Sequence, residues 1–125
     1  MLFRSTLIEK SDRLGGQWIP ASVPIGKGEF TSLIIWQKKM LEKMHVQVLL
    51  NTEADEELIK LYAPDTVILA TGSRPFIPPI KGTDRDFVTN AHDVLLGKVE
   101  VGENVVVIGG GLVGAETADM LGHQC

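Results

Sequence analysis

The sequence has little of what would decide its chemistry outright. Its one cysteine, Cys125, allows no internal disulfide, fits a reducing cytoplasm and, as the last residue, reads as a bystander rather than a nucleophile. The three histidines, His45, His92 and His123, stand far apart with no partner at metal-ligand spacing, which argues against zinc. Aromatics make up only 6%, and lysine and arginine are scattered through a chain of net charge -4, so no basic, aromatic-studded stripe is offered to nucleic acid. No apolar run approaches a membrane span, and Met1-Leu2-Phe3-Arg4 does not open a signal peptide. Repeats and low-complexity tracts are missing as well. The residues point to no metal ligand and to no catalytic group.

What the chain does have is glycine and branched aliphatics, in the proportions of an ordinary soluble α/β protein. Its 125 residues suffice for one small domain but are short for a complete flavin- or nicotinamide-dependent enzyme. Ser5–Glu9 reads as a short strand ending in an acid, and Asp12–Gly28 as a loop punctuated by glycine and proline. Phe30–Met44 has apolar residues at three- and four-residue spacing opposite Lys38, Lys39, Glu42 and Lys43, the pattern of an amphipathic helix. Val46–Leu50 is the next strand, and Asp55–Tyr62 a short helix with acids in its first turn. Thr66–Ala70 is continuously apolar, as in a strand buried on both faces of a parallel sheet. Ser73–Gly82, with three prolines, is a connector. Phe87–Thr89 is expected as a short strand, Ala91–Leu96 as a helical turn, Asn104–Ile108 as the last strand and Gly111–Gly122 as the last helix. Strands alternating with helices predict a three-layer parallel α/β sheet.

The most specific motif lies near the end of the sequence. Val105-Val106-Val107-Ile108 runs into Gly109-x-Gly111-x-x-Gly114, and Ala115-Glu116-Thr117-Ala118 continues as a helix. In a Rossmann-type site the first glycine permits the tight turn, the second lets a pyrophosphate approach the backbone, and the third lets the helix pack close to the strand. The N–H groups of the helix start, at Leu112, Val113 and Gly114, then favour the phosphate charge. The acid that should follow by about 20 residues for the ribose hydroxyls is missing downstream. In cyclic order Glu9 takes that position, because reading from Leu121 through Cys125 and on from Phe3 gives a nearly uninterrupted Rossmann passage. This predicts a circularly permuted sheet, formed within one chain or by strand exchange between two. Its expected order is Val46–Leu50, Ser5–Glu9, Val105–Ile108, Thr66–Ala70, with Gly109–Gly114, Glu9 and Ala70–Gly72 converging on one cleft.

The segments Leu7-Ile8-Glu9-Lys10-Ser11-Asp12-Arg13-Leu14-Gly15-Gly16-Gln17, Ala70-Thr71-Gly72-Ser73-Arg74-Pro75 and Val105–Glu116 together resemble the NADH:flavin oxidoreductase/2,4-dienoyl-CoA reductase family, multidomain relatives of old yellow enzyme. The resemblance covers essentially the whole chain. It implies part of an FAD domain (residues 1–72), a connector (73–103) and the first strand and helix of an inserted NAD(P)H domain (104–125). Glu9 would then hold the ribose of the FAD adenosine. Lys10, Arg13, Gly15, Gly16 and Gln17 would belong to the neighbouring FAD path, and Val48 would meet the adenine through its backbone. Ala70, Thr71 and Gly72 would pass beside the FAD pyrophosphate, while Gly109, Gly111, Leu112, Val113 and Gly114 would serve NAD(P)H. An FMN barrel, iron–sulfur cysteines and the FAD domain's own first glycine motif have no counterpart here. The resemblance thus implies a fragment of a flavin-dependent NAD(P)H oxidoreductase that passes electrons through FAD to FMN. Alternatively, the chain alone is a non-catalytic adenine-dinucleotide-binding module or an inert truncated product, a monomer or a strand-swapped homodimer. Trp18 and Trp36 read as loop packing and helix-face burial rather than adenine platforms. Asp93 reads as part of a local turn or cap and the acids at 53–57 as a solvated helix start. Glu116 (nicotinamide side or exposed helix) and Arg74 (phosphate or surface) stay open.

Overall fold

The computed structural model describes residues 4–123, so the expectations for Cys125 and Gln124 fall outside the described residues. Along the chain come β1 (Thr6–Ile8), α1 (Trp18–Ala21), α2 (Glu29–Lys43), β2 (Gln47–Leu49), α3 (Glu56–Tyr62), α4 (Ala91–Leu95) and α5 (Leu112–Gly122). They fall into two compact units. One holds the residues up to Gly16 with Ser32–Gly72, the other Gln17–Thr31 with the residues from Ser73 onward.

In the first unit β1 and β2 pair in parallel, with Thr6 opposite Gln47, Leu7 opposite Val48 and Ile8 opposite Leu49. The ladder continues at both ends through Gln47 N–H to Ser5 O (3.2 Å) and Glu9 N–H to Leu49 O (2.9 Å). A parallel pair needs a crossover, and the amphipathic helix supplies it. Glu29 in its first turn and Lys43 in its last complement the helix dipole, and Ile34 on its apolar face is buried. The helix ends at His45, which takes the left-handed conformation (φ 55°). There the His45 N–H bonds Glu42 O at 3.0 Å and the Val46 N–H bonds Leu41 O at 3.0 Å, the Schellman pattern that stops a helix and turns the chain into a strand. In α3, Asp55 caps the first turn by accepting the Leu58 N–H at 2.8 Å, and Ala63 (φ 41°) ends the helix. Glu53 pairs with Lys10 and Glu56 with Lys60, so the acidic run is a solvated helix start as expected.

In the second unit α4 packs on α5, and α1 on α4. Pro20, Leu95, Thr117 and Met120 are buried. The Thr117 hydroxyl donates to Val113 O at 2.7 Å, which allows a polar side chain to be buried on a helix. Asn90 caps α4 through its side-chain oxygen, which accepts the Asp93 N–H at 3.1 Å. Asp93 accepts the Asn90 amide at 2.6 Å and Lys98 Nζ at 3.2 Å, and the Asn90 bond, followed by Lys98, holds its carboxyl below the usual aspartate range. Asp93 thus belongs to the local turn around the Asn90 cap.

Three expectations are corrected. α1 interrupts the predicted 12–28 loop, because Pro20 falls within its first turn, where a missing N–H costs nothing. Phe87–Thr89 forms no strand. The sheet has two strands among the described residues, so neither 66–70 nor 104–108 enters a ladder and the permuted order is not found. Ile68 is 84% exposed, Leu69 82%, Val106 87% and Ile108 73%. Continuous apolarity signals a strand covered on both faces, but the cover has to come from neighbouring strands and helices, and among the described residues these segments pair with no strand.

Replacing Asp55 by Ala removes the α3 cap and is expected to cost about 1 kcal/mol of local stability. The measurement is amide exchange at Leu58 and Ile59, and unchanged protection there would contradict the capping role.

Candidate functional site

The glycine motif lies wholly within the second unit. Gly109 turns the chain with φ 111°, a conformation that a side chain rarely permits. Gly111 is the extended N-cap residue of α5, and Ala115 N–H bonds Gly111 O at 2.9 Å. A Cβ at Gly114 would collide with the carbonyl oxygen of Gly109, lie 3.0 Å from its carbonyl carbon and meet Val107 Cγ1 at 3.6 Å. A Cβ at Gly111 would meet nothing within 4 Å. Gly109 and Gly114 are thus required by the fold, whereas the space over Gly111 is left open beside the helix start. There the first-turn N–H groups of Leu112, Val113 and Gly114 lack intrahelical acceptors. A dinucleotide pyrophosphate fits this arrangement.

One turn further on, Glu116 Oε1 accepts Lys27 Nζ at 2.8 Å, and both side chains are partly buried. Lys27 Nζ also sits 5.4 Å from the Phe30 ring centroid, and Phe30 packs edge-on against Trp18 at 4.8 Å and 85°. Trp18 therefore packs at the start of a short helix against α2 rather than in a loop, and Glu116 is tied to the loop before α2. Trp36 is 56% exposed and lines a groove in the first unit, which corrects its reading as a buried helix face.

In the first unit Glu9 follows β1. Its Oε1 accepts the Ser11 N–H at 2.7 Å. The Ser11 N–H, and after it the Ser11 hydroxyl, hold the Glu9 carboxyl below the usual glutamate range. Thr52 N–H bonds Glu9 O at 3.0 Å and Asn51 N–H bonds Ser11 O at 2.9 Å, so the turn after β1 is fastened to the turn after β2. Because Gln47 and Leu49 direct their peptide groups to β1, Val48 between them turns its own toward the outer edge of β2. A groove of about 600 Å³ is lined by Glu9, Gly15, Gly16 and Ala70 together with apolar residues that include Leu7 and Ile34. Gly15 (φ 130°) and Gly16 (φ 47°) turn the chain along its wall.

Of the remaining predicted residues, Lys10, Arg13 and Gln17 have partners of their own. Lys10 Nζ pairs with Glu53 at 2.8 Å. Arg13 donates Nε to Asp12 Oδ1 (2.7 Å) and Nη2 to Asp12 Oδ2 (2.9 Å), which lowers the Asp12 pKa and raises that of Arg13. Gln17 Nε2 donates to Ser73 O at 2.7 Å. Thr71 and Arg74 are exposed, and Gly72 (φ 71°) makes a turn between them. Sequence reasoning missed Ser11, Lys27 and Ser73. Ser11 was findable as a residue two beyond a strand-ending acid, a spacing at which a carboxylate meets the backbone. The other two have no sequence signal, because their partners are distant in the chain. Among the described residues no group of three or more His, Cys, Asp or Glu is placed to hold a metal, and no helix is long and apolar enough to cross a membrane.

Two outcomes follow from these geometries. Gly114→Ala is expected to undock α5, seen as a drop in helical circular dichroism and loss of protection at Thr117; Gly111→Ala should leave both unchanged. Glu9 is held low in the folded state, so its contribution is present above the ordinary glutamate pKa and disappears as pH falls through the folded value. The stability difference between the unaltered chain and Glu9→Gln should therefore shrink on acidification in urea melts. A difference independent of pH would contradict this.

Residues 4–124 match the family described as pyridine nucleotide-disulphide oxidoreductase. The chain is 45% identical over 119 residues to a cinnamate reductase of Clostridium sporogenes, and 47% identical over 122 residues to an NADH oxidase of Thermoanaerobacter brockii. These alignments take in 95% and 94% of this chain but only 18% and 19% of the relatives. A 2-naphthoyl-CoA reductase, solved in complex with 2-naphthoyl-CoA, superposes with a TM-score of 0.89 at 38% identity, over 96% of this chain and 18% of that one. The chain thus spans less than a fifth of the length of these relatives. With its Rossmann-type α/β fold and the strand–glycine–helix geometry at Gly109–Gly114, the chain belongs to the pyridine nucleotide-disulphide oxidoreductase family.

Proposed function

We propose that the chain is the dinucleotide-binding portion of a flavin-dependent NAD(P)H oxidoreductase. Residues 1–72 belong to its FAD part, 73–103 to a connector and 104–125 to the start of its NAD(P)H part. The observation that carries this reading is the contrast within the motif, where Gly109 and Gly114 are required by packing and Gly111 faces open space at a helix start. Such a start offers N–H groups and a positive dipole end to a pyrophosphate.

Gly111, Leu112 and Val113 would then bind the NAD(P)H phosphates, with Gly109 and Gly114 holding the turn. Glu9, kept ionised by Ser11, would accept the ribose hydroxyls of FAD. Val48 would offer its outward peptide groups to the adenine. Gly15, Gly16 and Ala70 would form the wall along the same cofactor, and Thr71 and Gly72 would continue it. When bound, FAD would take a hydride with its two electrons from NAD(P)H, and the electrons would pass on to FMN, which with an iron–sulfur cluster would be held by other parts of the parent protein.

The relatives support placing the shared step here. They are named for different acceptors, cinnamate and 2-naphthoyl-CoA among them, yet this segment is kept at 38–45% identity in those two. A segment common to enzymes with different acceptors suits the common donor end of the reaction. No residue of the chain is assigned to the chemical step, so by itself it is a binding module.

Titration of the ¹⁵N-labelled chain with NAD⁺ is expected to shift Gly111, Leu112 and Val113, and titration with FAD to shift Glu9, Ser11 and Val48, at millimolar ligand. Silence at both Gly111 and Glu9 would sink the reading. With NADH, FAD and an artificial acceptor the chain should show no turnover above a buffer blank, and turnover would overturn the binding-only assignment.

A further inference from the structure

Two consecutive N–H groups after β2, those of Asn51 and Thr52, both reach the turn that follows β1. The Asn51 N–H bonds Ser11 O at 2.9 Å, and the Thr52 N–H bonds Glu9 O at 3.0 Å. A regular strand cannot do this, because its successive peptide groups point to opposite edges. Asn51 makes it possible by taking the left-handed conformation, with φ 53°. Asparagine is among the few side chains that enter this region readily, whereas a β-branched residue there is an outlier. The Asn51 side chain is exposed, so what the residue supplies to the turn is the direction of its backbone.

From this arrangement we infer that Asn51 is a positioning residue for Glu9, acting on its carboxylate through the peptide groups of Ser11. Ser11 is gripped from both sides. Its carbonyl accepts the Asn51 N–H, and its own N–H donates to Glu9 Oε1 at 2.7 Å. Fixing the carbonyl limits how the N–H of the same residue can turn, and that N–H aims the carboxylate. The other partners steady the frame: the Thr52 hydroxyl donates to Leu50 O at 2.9 Å, and the Glu9 N–H bonds Leu49 O at 2.9 Å. All of these residues lie in the first unit. The charges next to Glu9 in the turn are paired elsewhere, Lys10 with Glu53 and Arg13 with Asp12, so hydrogen bonds set the pose. The role rests on the dinucleotide reading above, in which Glu9 accepts the ribose hydroxyls of FAD. It adds that this grip is set from the neighbouring turn, by a residue that does not itself touch the cofactor.

The test compares variants at 51 in the ligand-free chain labelled with ¹⁵N and ¹³C. Asn51→Gly, which enters the left-handed region freely, should leave the Ser11 amide and Glu9 carboxyl signals in place. Asn51→Val should move both. Asn51→Ala, a milder change because Ala63 already holds φ 41° in this chain, should move them in the same direction. FAD should bind the valine variant about three- to tenfold more weakly, the range expected for loss of one net hydrogen bond, and the glycine variant as tightly as the unaltered chain. In a Glu9→Ala background there is no carboxylate to aim, so Asn51→Val should cost no further affinity. A further loss of the same size there would show that Asn51 acts on FAD by another route and overturn the assignment. So would ligand-free Ser11 and Glu9 signals that stay put in both the valine and alanine variants. FAD binding by the unaltered chain with undiminished affinity in both variants would overturn the positioning role alone. No FAD-induced shift in the unaltered chain would overturn the dinucleotide reading and this role with it.

Discussion

Helix α5 can follow its preceding segment so closely only because two residues lack side chains. Gly109 turns through a left-handed angle, and Gly114 passes directly over its carbonyl oxygen. A single methyl group at 114 has no room, and no rotamer adjusts a Cβ. The direction of α5 is set by this contact, and with it the burial of Thr117 and Met120 beside α4 and the reach of Glu116 to Lys27. The same contact leaves the helix start facing open space over Gly111. Packing and the capacity to receive an anion thus come from one steric constraint.

The first unit is held by hydrogen bonds more than by burial. Among the described residues Ile34 is the one large apolar side chain of this unit that is buried, while the β1–β2 ladder is extended at both ends and continued by the bonds from Asn51 and Thr52 into the turn around Glu9. Exposed ion pairs such as Lys10–Glu53 and Asp12–Arg13 add little to this, since solvent screens them and holding long side chains costs entropy. The partly buried Lys27–Glu116 pair in the second unit is of a different kind, being backed by the Phe30 ring.

How much of this was legible in the sequence depended on how local each signal is. The helices α2, α3 and α5 could be read because apolar spacing, acids in the first turn and the glycine motif each act within a few residues, whereas the caps Asp55 and Asn90 came from the structure. The task of each motif glycine was equally legible, since it follows from backbone geometry at that glycine. The strands at 66–70 and 104–108 were misread because their apolarity states a need for cover without saying what supplies it. The idea that one of them fills a place beside β1 gave that need an answer within the chain, and the two-stranded sheet does not contain it. Gln17 was picked out as a cofactor residue, but its bond to Ser73 joins distant positions and has no local trace.

The turn after β1 carries a consequence of its own. The Glu9 carboxylate is aimed by the N–H of Ser11, two residues along the chain, while the backbone of the same turn is held by Leu49, Asn51 and Thr52 from the neighbouring strand and its turn. A carboxylate set in this way depends on the parallel strand pair as a whole, because the neighbouring turn supplies the bonds that hold the turn aiming it. The acid at the end of β1 and the turn after β2 therefore form one unit, and a change in either turn reaches the other.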